Sequence, residues 1–265
     1  MTSASYHRPA SLTEAVKLVA GDSDARLLAG GQSVLLSVRL GLLAPSAFVD
    51  LASIADLQGI RVAGKAVVIG AMTTHADVAG SREVHTGIPA LAALAGGIGD
   101  RQVRNRGTLG GALANSDPAA DYPAAALGLD ANIRTNSRTI AADEYFKGLF
   151  ETALKPGEII AAVSFPVPDR AAYAKFLQPA SRFALVGVFV AQFGKSVRVA
   201  VTGAGACAFR VKALEDALTK NFAPGACDGV KVPATKLNSD IHGSAEYRAH
   251  LIPILTRRAV QQAFG

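Results

Sequence analysis

The stretch Gly107-Thr108-Leu109-Gly110-Gly111-Ala112-Leu113-Ala114-Asn115-Ser116-Asp117-Pro118-Ala119-Ala120-Asp121 constrains this chain more than any other. It holds three glycines, two hydroxyls, an amide and two carboxylates, with no bulky polar residue among them. Backbone so free of side-chain volume is suited to approach something closely, because glycine has no Cβ to clash and admits positive φ. A second small-residue run, Ala29-Gly30-Gly31-Gln32-Ser33, lies far upstream between Leu28 and Val34. Together the two runs read as loops that close on one object. Backbone N–H groups exposed in such loops are donors to anions, above all to a nucleotide diphosphate.

Their places in the chain support that reading without forcing it. Ser11-Leu12-Thr13-Glu14 has the spacing of a capped helix start, and Leu12, Ala15, Val16 and Val19 then mark one helical face ending at Gly21-Asp22. Arg26 to Ala29 reads as a buried strand, Val34 to Leu40 as a short helix and Ala47 to Leu51 as another strand. The first glycine run therefore sits between a strand and a helix, where anion loops occur. A plain strand-to-helix turn fits the same residues equally well. Thr108 adds a hydroxyl to the second run, and Asn115 and Asp121 offer groups to ribityl or ribose hydroxyls. Asp117-Pro118 reads as readily as a turn.

Further along, Leu57 to Val62 and Ala66 to Gly70 form a hairpin about Gly64-Lys65, and helices are expected at Thr74–Val78, Pro89–Ala95 and Pro123–Leu129. Strands follow at Ala131–Arg134, Ser137–Ile140 and Ile159–Phe165, with a helix start or Ω-like turn over Asp143–Phe150. Pro166 and Pro168 mark the candidate domain boundary. Beyond it come three antiparallel strands, Tyr173–Leu177, Leu185–Phe193 and Val197–Thr202. A helix over Lys212–Lys220 and a long terminal helix over Ser244–Phe264 complete the chain. The terminal helix turns Tyr247, Leu251, Ile254, Leu255, Ala259 and Val260 to one side, with Arg248, Arg257 and Arg258 interspersed.

Several function classes are disfavoured. The net charge is +6, but the basic residues are scattered apart from Arg101, Arg104 and Arg106, with no Lys/Arg run and no aromatic interleaving, so nucleic acid is not the expected partner. The two cysteines, Cys207 and Cys227, cannot hold an iron–sulfur cluster alone and read as small apolar residues. His7, His75, His85, His242 and His250 are not spaced for a metal and lie outside both glycine runs, which argues against a covalent link to a cofactor. Met1 to Pro9 carries no apolar leader, and no apolar stretch reaches about 20 residues, so a reduced cytoplasmic compartment is expected. No Gly-Lys-Ser/Thr occurs, which removes a phosphoryl-transfer loop. Gly203-Ala204-Gly205-Ala206-Cys207-Ala208 fits the dinucleotide fingerprint. The segment from Asn221 onward supplies neither the second strand nor the acidic residue that such a site needs.

Taken in order, the two runs resemble the flavoprotein (medium) subunit of the molybdenum hydroxylases, the family of aerobic carbon monoxide dehydrogenase and xanthine dehydrogenase. Ala29-Gly30-Gly31-Gln32-Ser33 matches its Ala-Gly-Gly-x-Ser loop. Arg104-Asn105-Arg106-Gly107-Thr108-Leu109-Gly110-Gly111 and Asp117-Pro118-Ala119-Ala120-Asp121 match its second loop. The likeness continues through Lys155–Ile160 and Ala180–Ala184 to Tyr247-Arg248 and Leu255-x-Arg257-Arg258-Ala259, nearly the whole chain. Ala112 departs from the Asn or Ser of many members.

The resemblance implies an α+β fold: a two-part FAD-binding domain of the vanillyl-alcohol-oxidase type over 1–167 (subdomains about 1–54 and 55–167), and a C-terminal domain over 168–265 with a three-stranded antiparallel sheet and helices. It implies non-covalent FAD held by Leu28, Ala29, Gly30, Gly31, Gln32, Ser33, Val34, Thr108, Gly110, Gly111 and Asn115. Asp121 would take a ribose hydroxyl, Ile98 and Ile160 would pack against the flavin end or the adenine, and Lys175 would stand near the flavin. It implies an electron-transfer subunit in a dimer of heterotrimers, beside a small subunit with [2Fe-2S] clusters and a large molybdopterin subunit. The rival readings are a stand-alone flavin oxidase of the same fold, for which no base and substrate pocket stand out, and a flavin-free interaction scaffold.

Overall fold

The computed structural model describes residues 4–264. Its first unit is β1 (Ser5–His7), α1 (Leu12–Ala20), β2 (Arg26–Leu28), α2 (Val34–Arg39) and β3 (Ala47–Asp50). The Ser11 hydroxyl accepts from Glu14 N–H and starts α1, as the sequence spacing predicts. β1 and β2 both pair with β3 in parallel, in the order β1-β3-β2. Parallel neighbours need a crossover, and α2 supplies the one between β2 and β3. Ala15, Val49, Leu51, Ile54 and Leu57 close a small core there with Ile159 and Ala161 from much later in the chain.

The second unit contains β4 (Ile60–Ala63), β5 (Ala66–Gly70), α3 (His75–Gly80), α4 (Arg82–Gly87), α5 (Pro89–Gly96), α6 (Arg101–Arg104), α7 (Leu109–Asn115) and α8 (Tyr122–Gly128). It continues with β6 (Asn132–Thr135), β7 (Thr139–Ala141), α9 (Ala142–Tyr145), β8 (Phe146–Gly148), β9 (Glu151–Thr152) and β10 (Ile160–Pro166). The five-stranded antiparallel sheet runs β4-β5-β10-β6-β7, so the last strand enters between two earlier hairpins. Helix α4, absent from the sequence reading, follows Ser81, whose hydroxyl accepts from Val84 N–H.

β11 (Arg170–Leu177), β12 (Ala184–Phe193), β13 (Ser196–Thr202) and β14 (Phe209–Arg210) form the last sheet, followed by α10 (Lys212–Lys220) and α11 (Ala245–Gln262). It has four strands where three were expected. The fourth is only two residues long, too short to leave a periodic signal. β12 is buried on both faces, which explains its unbroken apolar run. Phe189 and Ala191 join the core of α5 and α8, while Val188 and Val190 face the core that contains α11. The chain thus changes sheets between Pro166 and Arg170, yet the second and third units share a core.

Two side-chain placements differ from the sequence reading of α11. Ile252 is buried in place of Tyr247, which is 42% exposed. Arg248 is buried, its guanidinium donating to the carbonyls of Leu185 (2.7 Å) and Gly203 (2.9 Å) and to both oxygens of Asp240. The dinucleotide-like run after β13 leads into β14, not into a helix, so it has no helix N-terminus to offer a phosphate.

Candidate functional site

The two glycine runs meet. A Cβ on Gly30 would run into the Arg106 carbonyl and lie 2.9 Å from Gly107 Cα, and one on Gly111 would lie 3.6 Å from Ala29 Cβ. Only glycine lets the first loop lie against the second in this way. Gly31 adopts φ +76°, the left-handed region that glycine favours. The N–H groups of Gly30, Gly31, Gln32, Ser33 and Val34 donate to no protein atom among the described hydrogen bonds. Ser33 stands at the start of α2 with its hydroxyl making no cap bond. Consecutive unsatisfied amides at a helix start are an anion nest, so this run fits the diphosphate of FAD. Leu28 and Val34, partly buried, border it.

The second run differs from the sequence reading. It is the start of α7, not an open loop, and its amides are engaged inside the protein. Leu109 N–H donates to Thr73 O (3.0 Å), Gly110 N–H to Ala71 O (2.8 Å), Gly111 N–H to Thr108 Oγ1 (3.1 Å) and Ala112 N–H to Thr108 O (3.0 Å). Gly110 is glycine because a Cβ would come within 2.6 Å of Ala71 Cβ. What this run offers a ligand is the Thr108 hydroxyl proton and the absence of side chains. Beneath it, a Cβ on Gly107 would lie 2.5 Å from His75 Nε2. His75 is buried, its ring 5.3 Å from that of Tyr122, and Nδ1 has no partner. Burial, aided by the Arg104 charge, pushes its pKa down to about 4, so the ring is neutral near pH 7.

After α7, Ser116 takes a left-handed conformation (φ 47°) and the chain turns. Asp117 Oδ1 accepts from Ala119 N–H at 2.9 Å, so Asp117-Pro118 is the turn that its composition suggests. The turn delivers Asp121 into a buried position. There Tyr173 Oη donates to Asp121 Oδ1 (2.6 Å), and Lys175 Nζ lies 3.0 Å from the same oxygen. Lys175 Nζ also donates to Gly97 O (3.2 Å), next to Ile98. Burial raises the Asp121 pKa, against the opposing pull of Lys175 and Tyr173.

The sequence-predicted residues thus fall into two neighbouring groups: Leu28–Val34 with Thr108, Gly110 and Gly111, and Asp121 with Lys175 and Ile98. Asn115 lies on the last turn of α7, half-buried, with its side chain making none of the described hydrogen bonds. Ile160 is 4% exposed at the start of β10, within the core, and has little surface for a ligand. Tyr173 was not singled out in the sequence. Its signal was there: it lies two residues before Lys175, on the same face of a strand. Two clefts elsewhere share no residue with these groups. The one of about 500 Å³ is bordered by Asp77 and Glu83, a poor match for a diphosphate. The other, about 540 Å³, lies against α11. Among the described residues no cluster could hold a metal ion.

A glycine nest for an anion, closed by a second small-residue segment and flanked by a buried carboxylate–lysine pair, defines a nucleotide-cofactor protein. Residues 2–168 match the family described as the FAD binding domain in molybdopterin dehydrogenase, and the chain belongs to that family as a component of an oxidoreductase. It is 36% identical to the nicotine 6-hydroxylase medium subunit of Paenarthrobacter nicotinovorans, over 97% of this chain and 96% of the relative. To the carbon monoxide dehydrogenase medium chain of Afipia carboxidovorans it is 35% identical, over 97% and 96%. The structure superposes on reconstituted CO dehydrogenase from Oligotropha carboxidovorans with a TM-score of 0.90 and 34% identity, covering 98% of this chain and 97% of that one.

Proposed function

We propose that the chain is the FAD-carrying electron-transfer subunit of a molybdenum hydroxylase, taking electrons from the [2Fe-2S] clusters of a small partner subunit and passing them to an external acceptor. Substrate is oxidised on a separate large molybdopterin subunit, and the complex is a cytoplasmic dimer of heterotrimers. Within the chain, residues 1–167 form the FAD domain and 168–265 its C-terminal companion. The observation that carries this reading is the row of free amides from Gly30 to Val34 facing the small-residue start of α7. Bound FAD supplies the redox chemistry; the protein's work is to bind, orient and tune it.

Each residue group has a share. The Gly30–Val34 amides and the Thr108 hydroxyl take the diphosphate, and Gly110 and Gly111 keep the approach clear. Asp121 accepts from a ribose hydroxyl, Asn115 addresses another, Lys175 stands at the flavin and Ile98 gives it an apolar wall, whereas Ile160 stays in the core behind the site. A nicotine hydroxylase subunit and a carbon monoxide dehydrogenase subunit are nearly equal in identity to this chain, which fits a substrate chosen on another subunit.

Purification of the chain alone and within its complex tests the proposal. The expected isolate is yellow, holds FAD and is inert toward organic substrates. Its flavin is reduced by substrate only once the iron–sulfur and molybdopterin subunits are added. A preparation that cannot take up FAD would refute the cofactor assignment. One that oxidises an organic substrate unaided would establish the stand-alone oxidase instead.

A further inference from the structure

Asp121 is held on one side only. Tyr173 Oη and Lys175 Nζ both engage Oδ1, whereas Oδ2 accepts none of the described side-chain hydrogen bonds. Both donors come from β11, across the junction between the second and third units, and space has been kept for the tyrosine. A Cβ on Gly187 would collide with the Tyr173 hydroxyl. The Tyr173 ring stacks on Phe189 at 6.2 Å, and Phe189 in turn fits because a Cβ on Gly128 would lie only 2.7 Å from it. The same sheet grips the turn before Asp121. Thr202 Oγ1 is within hydrogen-bond distance of Pro118 O (2.9 Å) and Ala120 O (2.6 Å), and Gly203 N–H donates to Pro118 O (2.7 Å).

We propose that Tyr173 is a positioning residue of the FAD site: it fixes Asp121 through Oδ1, keeps the carboxylate ionised, and leaves Oδ2 free to accept from a cofactor hydroxyl. This rests on the reading that Asp121 reaches FAD. A buried carboxylate accepts strongly only as the anion, and burial works against the anion. The groups that face it are Lys175 and Tyr173 from β11 and its neighbour Tyr122, whose buried hydroxyl has no partner. Loss of the Tyr173 donor leaves only Lys175 and the backbone N–H of Asp121 to favour the negative charge.

The test is the pH profile of FAD affinity, measured by titrating flavin-stripped full-length protein with FAD between pH 5.5 and 8.5, with a urea midpoint for each variant. Tyr173→Phe is expected to bind FAD about tenfold more weakly at pH 6.5 and to recover as the pH rises and Asp121 ionises, with the wild type varying less over that range. Lys175→Met, which removes the other donor to the same oxygen, should show the same recovery. Asp121→Asn should bind weakly at every pH. Weak binding by Asp121→Asn with wild-type binding by Tyr173→Phe would overturn the positioning role and leave the Asp121 assignment standing. Wild-type binding by Asp121→Asn would remove that assignment itself. A pH-independent loss in Tyr173→Phe that tracks a lowered urea midpoint would make Tyr173 merely structural. If Tyr173→Phe does not fold, Lys175→Met decides: no pH-dependent recovery there overturns the proposal.

Discussion

Gly30 and His75 show how a single residue is constrained from two sides. Gly30 must lack a Cβ for the loops to touch, so Gly30→Ala pushes backbone against backbone at the Arg106 carbonyl. The expected result is a loss of about 1–3 kcal/mol of stability, by analogy with overpacking, and at least ~10-fold in FAD affinity, since the change displaces the amides of the nest. Gly80→Ala, in α3 with nothing within 4 Å, is the control and should leave FAD affinity unchanged and stability unchanged or raised by up to about 1 kcal/mol. His75 is neutral in the fold but titrates near its ordinary pKa of 6.5 when unfolded. Between pH about 4 and 6.5 the unfolded chain therefore binds the extra proton, and stability falls as pH drops through that window. The full effect is roughly 3 kcal/mol. Urea midpoints at pH 7 and 4.5 should differ less in His75→Gln than in the wild type. The importance of Gly30 was legible in the sequence. That of His75 was not, because only the fold brings it under Gly107.

Elements whose ends carry their own chemistry were the easiest to foresee. Ser11 and Glu14 mark α1, Gly64-Lys65 marks the β4–β5 turn, and the lysines at both ends of α10 coincide with its observed limits. Elements made by tertiary contact were missed: β14, and the engagement of the α7 amides by Ala71 and Thr73. The entry to β10 depends on one carboxylate. Glu158 accepts from Arg138 Nε (2.9 Å) and Nη2 (3.0 Å), Thr135 Oγ1 (2.8 Å), Ser137 Oγ (3.1 Å) and Lys155 N–H (2.8 Å). The Arg138 guanidinium is the largest influence, and these donors together hold the Glu158 pKa down to about 2. Since its ordinary value is 4.5, this stabilisation is fully present above that pH and is lost as pH falls toward 2. Glu158→Gln should cost about 1.5–3 kcal/mol at pH 7. Its unfolding free energy should also fall less between pH 5 and 2.5 than that of the wild type.

The whole molecule is organised by the sheet that the family match does not include. The matched span ends at residue 168, yet Phe189, Ala191 and Ala200 complete the core around α5 and α8. Tyr173 and Lys175 supply the partners of Asp121. Arg198 ties β13 back to the second unit through Leu127 O (2.8 Å), Asp130 (2.9 Å) and Asp143 (2.6 Å). A fragment of residues 1–168 should therefore expose apolar surface, lose near-ultraviolet dichroism and fail to hold FAD. A native-like spectrum with FAD bound would show that the C-terminal half is dispensable. The Pro166-x-Pro168 break was visible as a change of sheet, but sequence alone did not show that the two sides share one core. The paired small-residue runs were legible as the proposed cofactor loops, while only the structure separated what each presents: one run has free amides, the other makes room.

The proposed function stands or falls with diphosphate binding by the free amides of Gly30–Val34. Calorimetric titration of the flavin-stripped chain with FAD and with riboflavin, which has no phosphate, tests it most directly. One FAD per chain is expected, with riboflavin binding at least ~100-fold weaker, since losing even two charge-assisted hydrogen bonds has that effect. Equal affinity for the two ligands, or no FAD binding, would contradict it.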